Sequence, residues 1–415
     1  MEIENVAEPP PPPSQPPPLP LIGRGTPAFR RTILAMFLGG FTTFAVLYCV
    51  QPLMPVFSAA FGRSPAAASL TLSLTTGALA LSLLFAGSLS EAVGRRPVMG
   101  VSLTAAAALT LMAAFAGNFH LLLGLRFLAG IALAGLPSIS IAYLGEEIDP
   151  RSIGLAIGLF IAGSGLGGMS GRFVAAALAD IAGWRWALGL IGGVSLLAAA
   201  AFWRSLPPSR HFTALPLQWR SQWLALAGHF GDRGLLGLYA VGFLLMGSFV
   251  TVYNYIGYRL LAPPFDLSQT EVGTLYVVYL LGSIASVGSG SAADRFGRRR
   301  MLWAMVAIAL IGGGLTCSSR LHLVVVGIAT VTIGFFGAHS IASSWVARRA
   351  ATAKAQASSL YTFSYYCGSS VMGTLGGFAW SYGGWWGVAA MVLTMQALCL
   401  VIALKLARLT PKAMS

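Results

Sequence analysis

Apolar residues run along this chain in stretches of about twenty, broken by short polar segments, from residue 30 to residue 410. Wound as a helix rising about 1.5 Å per residue, a stretch of that length crosses a hydrocarbon layer of about 30 Å. Twelve spans are predicted, at 31–57, 66–89, 97–117, 119–144, 152–181, 184–204, 234–260, 268–292, 300–318, 321–345, 355–380 and 384–406. Membrane strands would be shorter and alternating. Inside hydrocarbon the backbone of each span must satisfy its own hydrogen bonds. The pattern therefore predicts an all-α membrane protein.

Composition agrees. Hydrophobic residues make up 56% and charged residues 9%, where a soluble domain has about 45–50% and about 25%. The net charge of +14 would suit a nucleic-acid partner, but the positions of the charges remove that reading. With the N-terminus in the cytoplasm, 20 of the 26 Lys and Arg fall in cytoplasmic segments, and only Arg63, Arg185, Arg259 and Arg320 fall in external loops. Basic residues concentrate on the cytoplasmic side of membrane proteins. The charge is thus a topology signal that places both termini inside, with the lipid bilayer as partner and no nucleic acid.

Two stretches lie outside the spans. Residues 1–29 hold nine prolines between 9 and 20 and are predicted to be a disordered cytoplasmic tail, since such a composition cannot bury a core. The acidic start, with Glu2 and Glu4, is no signal peptide. Residues 205–233, carrying Pro207, Pro208, Pro216, Trp219 and Trp223, are predicted to be a cytoplasmic linker with a short helix on the inner leaflet. It joins two bundles of six helices, 30–204 and 234–410.

A thirteen-residue pattern marks those two halves. It runs from Gly87 through Glu91, Gly94 and Arg95, and recurs from Gly290 through Asp294, Gly297 and Arg298, 290 − 87 = 203 residues later. Each copy ends one span and opens the next, as expected of a duplicated membrane bundle. Gly94 and Gly297 permit a tight turn, and Gly87 and Gly290 permit close helix approach.

The hairpin resembles the G-x-L-x-D-R-x-G-R-R/K loop signature of the major facilitator superfamily of secondary transporters. The second copy keeps Asp294, Arg295, Gly297 and Arg298, and the first has Glu91 and Ala92 in place of the acid and the Arg after it. The resemblance covers residues 30 to 410 and implies twelve helices in two six-helix pseudo-repeat halves. It also implies a conformational latch, in which the hairpin Arg bridges to an acid two helices on. Glu146 and Glu147 supply that acid for Arg95. In the second half Arg348 and Arg349 stand there instead, so Arg298 has no evident acid and Asp294 is expected to pair with Arg348 or Arg349.

Three further stretches carry resemblance. Leu122, Arg126 and Gly130 are similar to the family's R-x-x-x-G element, and an Arg inside a span is costly enough to suggest function. Gly154, Gly163, Gly167, Gly168 and Gly171 resemble the glycine motif of drug:proton antiporters, with Gly168 in place of Pro and Arg172 in place of the last Gly. The glycine line is expected to seal against a helix of the other half. Tyr48-Cys49-Val50-Gln51-Pro52, the run from Gly167 to Arg172, and Tyr253-Asn254-Tyr255 with Tyr258-Arg259 resemble the YnfM-like branch of these transporters.

Polar side chains inside spans suggest the substrate site, because lipid would leave them unsatisfied. Arg126, Tyr48, Gln51, Tyr253, Asn254, Tyr255 and Tyr365 are candidates, with Tyr276, Tyr279 and Tyr361 as an aromatic wall. His339, Glu146 and Glu147 are candidates for proton coupling. None of the twelve acids falls in the middle of a span, so a permanent cation would find no carboxylate there, whereas Arg126, Arg172 and several Tyr hydroxyls could hold a neutral or anionic polar-aromatic compound.

Cys49, Cys317, Cys367 and Cys399 have neither CxxC spacing nor a neighbouring His, and no phosphate-cradling or nucleophile motif occurs. The expectation is a transporter rather than an enzyme, working as a monomer in a bacterial inner membrane, with no cofactor and no metal. It exports a small neutral, zwitterionic or anionic compound in exchange for protons. Facilitation or import of a small metabolite or sugar is the alternative.

Overall fold

A computed structural model describes residues 20–214 and 219–408. Ten helices in it are long and apolar enough to cross a membrane. The 55-residue helix Lys354–Arg408 breaks at Gly383 and Gly384 and counts twice. Arg298–Leu315, apolar beyond its basic first turn, is the ninth span in chain order and brings the number to twelve.

The first span is Pro27–Tyr48, capped at its start by the Thr26 side chain, and it continues as Met54–Phe61. The second to sixth are Pro65–Val93, Arg95–Ala113, Phe119–Glu147, Ile153–Ile181 and Trp184–Ser205. The helix Trp219–Gly228 and the turn His229–Gly231 lie in the linker. The seventh, eighth and tenth are Arg233–Leu260, Gln269–Phe296 and Leu321–Arg349. The eleventh and twelfth lie on either side of the glycine break.

Three spans are interrupted rather than continuous. The first expected span, 31–57, opens at 49–53, where Pro52 has no N–H to carry the helix on. The fourth opens before Pro137. The eighth narrows to a 3₁₀ turn at Leu275–Val278. Each break frees backbone carbonyls at membrane depth, where they need another donor.

Both hairpins turn on glycine at positive φ, 112° at Gly94 and 90° at Gly297. The expected tail falls outside the described residues as far as 19. From residue 20 the chain is held, since the Ile22 N–H donates to the Glu147 carbonyl at 2.8 Å and the Ile22 carbonyl accepts from the Asp149 N–H at 3.1 Å.

An even number of spans puts the linker and the two ends of the described chain on one side, here called the terminal end. The side-chain hydrogen bonds that join the halves among the described residues lie at the midplane and toward the far end. They are Gln51 with Asn254, Ser58 with Tyr258 at 2.7 Å, Ser370 to the Ser73 carbonyl at 2.7 Å, Thr270 to Asp180 at 2.6 Å, and Gln269 to the Pro52 carbonyl. Toward the terminal end the ion pairs form within each half. The bundle is therefore closed at the far end.

Candidate functional site

Where the first span breaks, Gln51 points inward at 1% exposure. Its Oε1 accepts from Arg172 Nε at 2.6 Å, and its Nε2 donates to Asn254 Oδ1 of the seventh span at 2.8 Å. Arg172, on the fifth span and 2% exposed, also donates through Nη1 to the Gly168 carbonyl at 2.6 Å. Its guanidinium carbon lies 3.9 Å from the Tyr48 ring centroid, 4.7 Å from Tyr279 and 5.5 Å from Tyr276. Cation–π contact of this kind is strongest where water is excluded. No carboxylate forms an ion pair with Arg172 among the described residues, and the Asn254 Nδ2 has no partner. A desolvated cation with a spare donor beside it has the chemistry to take up a polar or anionic group.

A second cluster adjoins the first through stacked rings. Tyr253 donates or accepts at Thr332 over 2.7 Å and stacks on Tyr276. Its neighbour Phe249 lies face to face with Phe335 at 3.8 Å, and Phe335 stacks on His339. The His339 Nδ1 is 2.9 Å from the Tyr361 hydroxyl, and Tyr365 covers the imidazole at 4.7 Å. Tyr48, Gln51, Tyr253 and Asn254 thus gather at Arg172, while Tyr365 gathers at His339. Tyr255 sits elsewhere: it donates to the Gly373 carbonyl at 2.6 Å and stacks with Trp380 in the far-end contact.

Arg126 differs from its expected role. It is fully buried, and its three nitrogens are occupied by the carbonyls of Thr71 at 3.2 Å, Val46 at 3.1 Å and Leu47 at 2.9 Å. Val46 and Leu47 end the first helix before its break, so the guanidinium supplies the donors that the interrupted backbone lacks. It faces backbone, not the cavity.

Glu146 and Glu147 also have other partners than the proton path expected for them. Glu146 accepts from Arg95 Nη2 at 2.8 Å and Nε at 3.2 Å, while Arg95 Nη1 donates to Ser90 at 2.6 Å. Glu91 stands 3.9 Å from the same Arg. Glu147, fully buried, accepts the N–H groups of Arg210 at 2.6 Å and His211 at 2.8 Å and lies 3.1 Å from the His211 ring. It clamps the linker.

In the second hairpin Arg298 does have an acid, since its Nη2 donates to Asp294 at 2.6 Å, with Arg348 at 3.8 Å from the same carboxylate. Arg349 pairs with Asp232 at 2.8 Å instead. A Cβ at Gly87 would meet nothing within 4 Å, and one at Gly290 only Ser340 at 4.0 Å. Those two glycines make no close approach here.

The glycine line seals a different seam from the expected one. Side chains at Gly163, Gly167 and Gly171 would strike the backbone of Phe37, Phe41 and Ala45 on the first span of the same half, and one at Gly168 would crowd Arg172. Contact with the other half is made beside that line, by Gly165 facing Ser283, Arg172 over Tyr276 and Tyr279, Ala176 against Gly273 and Asp180 with Thr270.

Residues 36–263 and 238–415 each match the Major Facilitator Superfamily. The chain belongs to that family. Its members are secondary transporters, so this is an integral multi-pass membrane transporter and not an enzyme. It is 49% identical over 387 residues to the uncharacterized MFS-type transporter YybF of Bacillus subtilis, covering 93% of this chain and 96% of the relative. It is 46% identical over 391 residues to the inner membrane transport protein YnfM of Escherichia coli, covering 94% of each, which places it in the YnfM-like branch. Among solved structures the fold matches a bacterial homolog to the human lysosomal transporter Spinster, with a TM-score of 0.75 at 13% identity over 92% of this chain and 98% of that one. It also matches the nucleoside transporter NupG, at 0.73 and 14% over 90% and 98%.

Proposed function

We propose that this transporter exports a small neutral, zwitterionic or anionic organic compound across a bacterial inner membrane, by alternating access and in exchange for protons. Arg172 carries this reading: it is a desolvated guanidinium on the seam between the halves, bonded to neutral groups and lined by tyrosines. A substrate oxygen there would gain a charge-assisted bond worth about 1.5–3 kcal/mol. A permanent cation would instead meet repulsion.

The terminal end, richest in Arg, is taken as cytoplasmic. With the far end closed, a route to the site would have to come from the cytoplasmic side, as a step before export requires. Rocking residues 30–204 against 234–410 would expose it on the other side. Of the candidates for proton coupling, His339 keeps the role in this reading, because Glu146 is bonded to Arg95 and Glu147 to the linker.

Counterflow in proteoliposomes containing the full chain, with and without an imposed pH gradient, tests this. Accumulation of neutral or acidic aromatic compounds that needs the gradient supports exchange with protons. Equilibration indifferent to the gradient would make the protein a facilitator.

A further inference from the structure

At the terminal end of the first span, Arg24, Arg30, Phe29, Ile33, Leu34 and Phe37 border an open cleft of about 520 Å³ that Leu159 of the fifth span lines on its other side. Neither the Arg24 nor the Arg30 side chain takes part in a hydrogen bond or ion pair among the described residues, and both are exposed. Unpaired arginines beside apolar walls suit a ligand with an anionic head and an apolar body.

The cleft lies on one face of its helix. Arg30, Leu34, Phe37, Phe41, Phe44 and Tyr48 follow one another at alternating spacings of four and three, so they line a single face. The opposite face is marked by Gly39, whose added Cβ would touch Leu136 and Phe202 in the core of the first half. From residue 39 to residue 48, Phe41 and Phe44 are the only positions that are not buried. Phe37 stacks on Phe41 at 6.4 Å and Phe44 on Tyr48 at 6.2 Å. This face therefore leads from the two free arginines to the ring that covers Arg172. Arg30 and Tyr48 are eighteen positions apart, roughly 27 Å at the helical rise.

We infer that the Arg24/Arg30 cleft is a loading site, distinct from the Arg172 site, that captures an amphipathic organic anion from the terminal side and passes it along the aromatic face of the first span. This rests on the transport reading above and narrows its substrate class to an aromatic or apolar body with one anionic group. The size fits: a cleft of this volume holds a drug-sized molecule, whereas a two-chain phospholipid would overfill it.

Binding of 1-naphthoate and of uncharged 1-naphthamide to the full chain in nanodiscs tests the inference, in neutral lipid and again with anionic phosphatidylglycerol. Wild-type protein should bind naphthoate in preference to naphthamide at two classes of site. R24Q/R30Q should remove one class, and R24E/R30E should also turn that preference around toward a cationic naphthylmethylamine. Arg172→Lys should weaken the other class by about tenfold or more and leave the cleft's class in place. No naphthoate preference in the wild type, or two classes unaltered in R24Q/R30Q, overturns the loading site. So does loss of that class in phosphatidylglycerol nanodiscs, which would assign the cleft to lipid. Gradient-driven counterflow with a single naphthoate class would leave the transport reading standing while this inference fails.

Discussion

Gln51 and Asn254 share a hydrogen bond of 2.8 Å across the middle of the molecule, and they are 203 positions apart, the same offset as the two glycine hairpins. Equivalent positions of the two repeats therefore meet on the axis about which the halves are related. In the alternating-access reading proposed above, this bond is one of those that hold the halves with the far end closed.

Asn254→Ala removes that bond, worth about 0.5–1.5 kcal/mol net, and should shift the population toward the far-end-open state by about two- to tenfold. Labelling of Ser58→Cys by an impermeant thiol reagent, with the four native cysteines replaced, reads the shift. Unchanged labelling would mean that the bond does not hold the halves.

Arg126→Lys should lower stability before it alters selectivity. One ammonium cannot reproduce the fan of bonds to Thr71, Val46 and Leu47, and a buried carbonyl left without a donor costs about 1–3 kcal/mol. Detergent-solubilised variant should melt several degrees lower with its residual substrate preference intact. Normal melting with altered preference would return Arg126 to the substrate site.

The two latches should differ in weight. Arg95 is enclosed by Glu146 and Ser90, with its side chain 10% exposed, while Asp294 and Arg348 are 63% and 65% exposed. Exposed pairs contribute about 0–1 kcal/mol. Arg95→Ala should therefore slow transport severalfold at normal membrane expression, and Asp294→Asn much less. Equal initial rates for the two variants would contradict that order.

Asp232 caps the seventh span outside the membrane. Burial pushes its carboxyl up, but the Arg349 hydrogen bond, the N–H groups of Gly234 and Leu235 and the Arg349 charge together hold it below its usual value. A depressed carboxylate contributes stability that is present above the ordinary Asp value of about 3.9 and is lost as pH falls through the lowered one. Asp232→Asn should therefore be less stable than wild type at neutral pH, with the gap narrowing in acid. Melting curves across that pH range measure it; a gap that stays constant would rule out the linkage.

The spans and hairpins were legible because length, hydropathy and glycine at a reversal are local properties. The breaks at 49–53 and before Pro137 were not, since apolar residues continue through both and hide the proline's lost donor. That hidden geometry also decided between two arginines. Arg126 and Arg172 are each the single arginine of an apolar span, but only the break in the first helix shows that backbone takes up Arg126, while Arg172 bonds Gln51 at the seam between the halves. The 203-residue offset between Gln51 and Asn254 was the signal that could have marked the depth of the site. Partners of Glu147 were illegible because they are backbone N–H groups of a linker without periodicity.

The most direct measurement is export by Arg172→Gln in an efflux-deficient strain, scored beside wild type against acidic or neutral aromatic compounds and quaternary-ammonium dyes. Wild type should protect against the acidic and neutral compounds, and loss of one charge-assisted bond of about 1.5–3 kcal/mol should lower that protection by about ten- to hundredfold at equal membrane expression. Wild-type resistance confined to the permanent cations, or undiminished export by the variant, would contradict this reading.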